Sequence, residues 1–222
     1  MVMAPSSAAA IVTSCALVSG TSLRPGSATF LVDGGVALGL QWAPRRGDRV
    51  QSPTSEVLVT LGRRYVRDVP GAVGKPSLVG RYLNPRLRDR PRRRVVASRF
   101  GARFAVDTQD LIQRYLYLFG VWEPHMTAWL QRRLRPGDGF VDVGANIGYY
   151  SVLASRLVGD AGRVAAIEAS PVFHERLLQQ VRLNACGNVR TVNAAVADCR
   201  RTLTFVLASS QNMGANSTVP YD

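Results

Sequence analysis

"FVDVGANIGYY", Phe140–Tyr150, is the stretch on which the fold turns. Gly139 to Val143 reads as a short buried strand, G-A-N-I-G as a tight turn, and Ile147 to Leu157 as a helix whose Val152, Leu153 and Leu157 face inward. A strand that runs through a glycine turn into a helix places backbone N–H groups at the helix start, where they can face an anionic group.

Working outward, the same alternation repeats. "GDAG" is a return turn, "RVAAIEA" (163–169) a second strand, and Ser170 with Pro171 supplies a helix N-cap and a first-turn proline. Phe173, Leu177, Leu178 and Val181 mark the packed side of the helix that follows, Gly187 is expected to close it, and "VRTVNAAV" (189–196) makes a third strand. Strands alternating with helices of this length imply an α/β architecture with a parallel sheet and right-handed crossovers, half of a doubly wound fold. Upstream, "RVVASRFGARFAVD" alternates around Gly101 like a hairpin. Thr108 or Asp110 can cap "LIQRYLYLF", which Gly120 stops, and "PHMTAWLQRRL" puts Met126, Trp129, Leu130 and Leu134 on one face.

The amino-terminal part is less specified. Residues 1–94 read as an extension of low specificity ending in an arginine-rich linker, and 95–222 as the ordered domain. The apolar runs before Val50 keep no helical or alternating period, and the first is too short to span a bilayer and lacks a basic start. In Arg81–Arg94, Pro85 and Pro91 argue against a continuous helix, leaving a solvated linker or a patch for anions or lipid headgroups. This cluster is not expected to govern ligand binding in the domain.

The formal net charge of +13 is almost wholly arginine, Lys75 being the sole lysine, and no nucleic-acid module is legible, so a nucleic-acid partner is not expected. Cys15, Cys186 and Cys199 lack metal or disulfide spacing, and His125 and His174 are far apart. Reduced cytoplasmic thiols, no metal site and no Ser/His/Asp triad are the expectations.

In a sheet of this kind ligands sit beyond the carboxyl ends of the strands, so the 144–148 turn and Glu168, at the end of the second strand, should share one crevice. Gly144 lets the backbone leave the strand, Asn146 tolerates a left-handed conformation, and Gly148 lets the helix approach a ligand. Glu168 is placed to accept both hydroxyls of a ribose. A dinucleotide fingerprint would need glycine where Asn146 and Tyr149 stand, and a P-loop would need Gly-Lys-Ser/Thr, so NAD and nucleoside triphosphates are disfavoured.

Asp142 followed by Gly144 and Gly148 instead resembles motif I, D-x-G-x-x-x-G, of the class I S-adenosylmethionine-dependent methyltransferases. With "FGVWEP", "LRPGDGFVDVGANIGYYSVLAS", "VAAIEASP" and "VNAAVAD", roughly Arg99–Val219 resembles the FkbM family. The resemblance implies a Rossmann-like fold, with S-adenosylmethionine as cofactor and O-methylation of a hydroxyl on a sugar, glycolipid or polyketide-type small molecule. It also implies that Asp142, Gly144, Asn146 and Gly148 surround the methionine part and that Glu168 holds the ribose. Glu123 would approach the methionine end or be an ordinary helix-start acid. Asp198 would lie on the adenine side or be a turn acid.

The catalytic base is not legible. The family's later strands are not found before Asp222, so an incomplete sheet is expected, comprising its first three strands and a "TLTFVL" arm. "FVDVG" would then have an unpaired edge and the chain alone would not turn over. Two other functions stay open: a non-catalytic nucleoside-binding fragment, and a basic binder of nucleic acid or of a membrane surface.

Overall fold

The computed structural model describes residues 53–196. The runs before Val50, the "TLTFVL" arm and Asp198 lie outside the described residues. The chain forms α1 (Pro53–Asp68), α2 (Lys75–Leu78), a π-helical turn (Val79–Leu83), α3 (Asn84–Asp89), β1 (Arg93–Ala97), β2 (Arg103–Asp107), α4 (Leu111–Phe119) and α5 (Pro124–Arg133). The alternating part follows as β3 (Gly139–Val143), α6 (Tyr149–Val158), β4 (Arg163–Glu168), α7 (Pro171–Leu183) and β5 (Val189–Asn193).

β3, β4 and β5 form a parallel sheet in that order, with Asp142 opposite Ala166 and Glu168 opposite Asn193. Asp142 accepts a hydrogen bond from Ser151 of α6, and its register partner Ala166 packs with Leu177 of α7. Both helices therefore cover the same face, as successive right-handed crossovers in one direction require. The other face presents Val141, Val143, Ala165 and Ile167 half-buried and Val192 exposed. Among the described residues β3 pairs with β4 alone.

The hairpin forms as expected, Gly101 taking φ 81°. Of the two candidate caps for α4, Asp110 does the work, accepting from the Gln113 N–H at 3.0 Å, and Gly120 ends the helix at φ 70°. Leu130 of α5 and Leu134, its C-cap, pack with Phe140, Leu153 and Val158. Met126, assigned to the same face, is 41% exposed instead. α7 closes on a left-handed Ala185 (φ 51°) before Gly187 is reached, and β5 is shorter than its apolar run.

The larger difference lies upstream. Residues 75–89 run as one helical path through Pro85, because the π-helical turn precedes it: the Asn84 N–H bonds the Val79 carbonyl, and the proline falls in the first turn of α3, where no N–H is needed. Val79, Leu83 and Leu87 recur at i, i+4 and i+8 and are buried. They join Val59 and Val66 of α1 in a core with Phe104, Leu116, Tyr117, Ile147 and Phe173. Arg81–Arg94 is thus packed structure rather than a solvated linker, and a boundary at 94/95 would cut β1. Pro91 does act as expected, α3 ending at Asp89.

Candidate functional site

The turn after β3 is held against β4 by backbone bonds: the N–H groups of Gly144 and Ala145 both donate to the Ile167 carbonyl, at 2.9 and 3.0 Å. Gly144 takes φ 75°, with open space where a Cβ would stand, and Asn146 takes φ 52°, the left-handed conformation its short polar side chain tolerates. The Asn146 Oδ1 accepts from the Ile147 N–H.

Gly148 is needed for another reason than approach to a ligand. At φ 83°, a Cβ there would lie 2.4 Å from Leu177 Cδ1, so this glycine lets α6 and α7 pack together. It caps α6 without a side-chain bond, which leaves the helix's first backbone donors without a side-chain cap at the turn.

Glu168 is buried at the end of β4 and braces the turn. Its Oε2 accepts from the Asn146 N–H at 2.7 Å and its Oε1 from the Ser170 N–H at 2.8 Å. Burial raises its pKa, against these bonds, which favour the carboxylate. Each oxygen keeps acceptor capacity beyond its one backbone bond. Asn193, opposite Glu168 in the register, donates from Nδ2 to the carbonyls of Glu168 and Ala169 at 2.8 and 3.1 Å and fixes the path of the chain after the acid.

Asp142 lies on the helix-covered face of the sheet. Its Oδ2 accepts from the Ser151 hydroxyl at 2.6 Å, and burial pushes its pKa up to about 6, with nearby Glu168 adding to the rise. It thereby couples the last turn of the strand to the first turn of α6.

The structure brings Glu123 to this place as well. The Tyr150 hydroxyl donates to Glu123 Oε2 at 2.6 Å, and the neighbouring Tyr149 hydroxyl lies 3.0 Å from Thr127 Oγ1, so two adjacent tyrosines join the start of α5 to the start of α6. Glu123 is a non-glycine residue at φ 40°, a strained conformation held from behind by the Thr127 N–H on its carbonyl. Burial and the Glu123 carboxylate hold the Tyr150 phenol above its ordinary pKa.

Asp142, Gly144, Asn146, Gly148, Glu168 and Glu123 therefore gather at one end of the sheet. Tyr150, Ser151 and Asn193 were not singled out in the sequence. The register of β4 and β5 points to Asn193, but the tyrosines carried no sequence signal beyond following Gly148. Among the described residues no group of three His, Cys, Asp or Glu is placed to hold a metal, and no helix is long and apolar enough to cross a membrane.

Comparison with known proteins corrects the family expected from the motifs. A solved structure of a candidate rRNA-methylase from Clostridium thermocellum is 20% identical, covers 32% of this chain and 38% of its own, and has a TM-score of 0.30. A Protein-L-isoaspartate O-methyltransferase from Ignicoccus hospitalis is 35% identical over 68 residues, 30% of this chain; the chain spans about a third (32%) of that relative's length. The family model that matches, over residues 109–221, is Protein-L-isoaspartate(D-aspartate) O-methyltransferase (PCMT) and not the FkbM family that the motifs resemble. It takes in the turn, Glu168 and the sheet between them, and by that match the chain belongs to the PCMT family.

Proposed function

We propose that the chain forms part of an S-adenosylmethionine-dependent methyltransferase that esterifies a carboxylate on an altered aspartyl residue of a protein or peptide. The observation that carries this reading is the 2.7 Å bond between the Asn146 N–H and Glu168, which ties the turn after β3 to the end of β4. The residues fit the cofactor: Glu168 has acceptor capacity for ribose hydroxyls, no described side chain fills the space at Gly144, and Glu123 offers a carboxylate to a cationic group at the methionine end. Asp142 supports the turn from below. Asp198 is kept as the proposed adenine-side acid on sequence grounds.

When bound, S-adenosylmethionine supplies a methyl group already activated by its sulfonium for in-line transfer to an oxygen nucleophile. The chain's own contribution is orientation at near-attack distance. A carboxylate acceptor is ionised at neutral pH and gives up no proton, whereas a hydroxyl needs a positioned base. The isoaspartyl acceptor named for the family thus asks less of these residues than the sugar or polyketide hydroxyl expected from the sequence.

Calorimetry with S-adenosylhomocysteine tests the cofactor half. Binding should be saturable and should weaken by roughly 2–4 kcal/mol in a cooperatively folded Glu168→Ala chain, from the loss of charge-assisted bonds. Unchanged affinity would remove Glu168 from the site. Transfer of labelled methyl to an isoaspartyl peptide, compared with the matched aspartyl peptide and with hydroxyl acceptors, tests the other half; label entering a hydroxyl alone would replace the acceptor.

A further inference from the structure

α1 is apolar on two sides. Its inner side, Val59 and Val66, is buried, and Arg63 Nε on that side donates to the Tyr117 carbonyl at 2.7 Å. On the outer side Val57, Leu61, Tyr65 and Val69 follow one another at i+4, with Leu58 beside them, and they are 36–56% exposed. Val73, in the loop that folds back so that its carbonyl accepts from the Tyr65 hydroxyl, is 85% exposed. Of the large exposed apolar side chains in the described residues, those outside this patch are the scattered Met126, Val172 and Val192.

We propose that this outer side of α1 and the 69–75 loop form a docking surface for an anionic lipid interface. Charge selects the occupant. Residues 53–94 hold eleven Lys and Arg against Glu56, Asp68 and Asp89. Glu56 pairs with Arg92 and Asp89 with Arg88, which leaves little negative charge to oppose an anionic surface. Arg64 is exposed at the border of the apolar stripe, Lys75 Nζ stands 5.7 Å from the centre of the Tyr65 ring, and Arg81 is exposed one turn beyond α2. Long basic side chains beside a stripe that is aliphatic except for Tyr65 match the boundary between headgroups and acyl chains. Nucleic acid would be served by a row of stacking faces, and this stripe offers the single ring of Tyr65, with Lys75 Nζ 5.7 Å from its centre, among aliphatic side chains. A helix of 16 residues, about 24 Å long and packed along one side, can lie in that plane but not cross it.

Flotation of the full chain with phosphatidylcholine vesicles, with and without about one-third phosphatidylglycerol, tests the proposal. Binding should require the anionic lipid and fall several-fold as salt rises from about 50 to 300 mM, where screening shortens the reach of the charges. Leu61→Asp should reduce binding about tenfold or more, an aliphatic contact being replaced by a like-charged one, and Arg64→Glu should reduce it by less. Both positions are exposed, so unchanged circular dichroism is expected; Val57→Ser substitutes if Leu61→Asp does not fold. Three results would each overturn the proposal: no binding to anionic vesicles, equal binding by Leu61→Asp, or competition of the lipid by RNA. A dimer that Leu61→Asp dissociates, in a chain that ignores vesicles, would assign the stripe to a second copy.

Discussion

Gln180 of α7 gives both ends of its side-chain amide to the backbone of Ala105 in β2: Oε1 accepts from the Ala105 N–H at 2.9 Å, and Nε2 donates to its carbonyl at 2.8 Å. One turn later Asn184 repeats the pairing on Arg103, at 2.8 and 2.7 Å. Four residues of helix advance about 6 Å and two residues of strand about 6.7 Å, so the helix can mimic a neighbouring strand and close the hairpin's edge. Gln180→Leu would leave two buried backbone groups unpaired and should cost roughly 2–4 kcal/mol in urea unfolding. Asn184→Ala, at a more exposed pair, should cost about 1 kcal/mol. A Gln180→Leu chain as stable as the parent would show that the hairpin is held by other contacts.

Gly148 and Gly144 both have positive φ but differ in surroundings, and alanine should separate them. At Gly144 a Cβ meets open space, so the cost is the backbone conformation alone, about 1–2 kcal/mol. At Gly148 the same strain is joined by collision with fully buried Leu177, and the total should reach roughly 2–4 kcal/mol. Leu177→Ala should relieve the second part. A double mutant whose loss equals the sum of the single losses would argue against the contact.

Asp142 makes stability depend on pH in a definite direction. Its folded pKa, raised by burial to about 6 from 3.8, means the folded chain holds the proton more tightly than the unfolded one. The contribution is fully present below 3.8 and lost as pH rises through about 6. Glu168 shifts in the same direction. Asp142→Asn keeps an acceptor for Ser151 without a charge to bury, so its stability relative to the parent should rise between pH 4 and pH 8, by up to about 3 kcal/mol. Parallel stability curves for the two chains would sink this account.

Arg92 and Arg94 should respond unequally to serine. Arg92 is buried, bonded to the Tyr117 hydroxyl at 2.9 Å and paired with Glu56 at 3.2 Å, and ties α1 to α4. Its loss strands these groups and should cost roughly 2–4 kcal/mol, whereas Arg94→Ser, at an exposed site bonded to the neighbouring Arg93 carbonyl, should stay within about 0.5 kcal/mol. Thermal melts of the two variants decide between a cluster with one structural member and a uniformly solvated one. Cofactor affinity per folded molecule should be unchanged in both.

What could be read from the sequence alone was whatever local periodicity and turn chemistry encode. "FVDVGANIGYY" carried its strand, its left-handed turn residues and its helix within eleven letters, because strand burial, positive φ and helical spacing are each properties of neighbouring residues. Glu168 was legible too, since a parallel unit of this length returns the end of its second strand to the first turn. The tertiary structure decided what depended on residues distant in sequence. That Asp142 accepts from Ser151, that Gly148 answers to Leu177, that Arg92 pairs with Glu56 across 36 residues, and that Val79, Leu83 and Leu87 form a core stripe through a proline are matters of which groups meet when desolvated. A side chain's burial sets its pKa, the cost of its bonds and the space allowed beside it, and burial is a property of the packed whole.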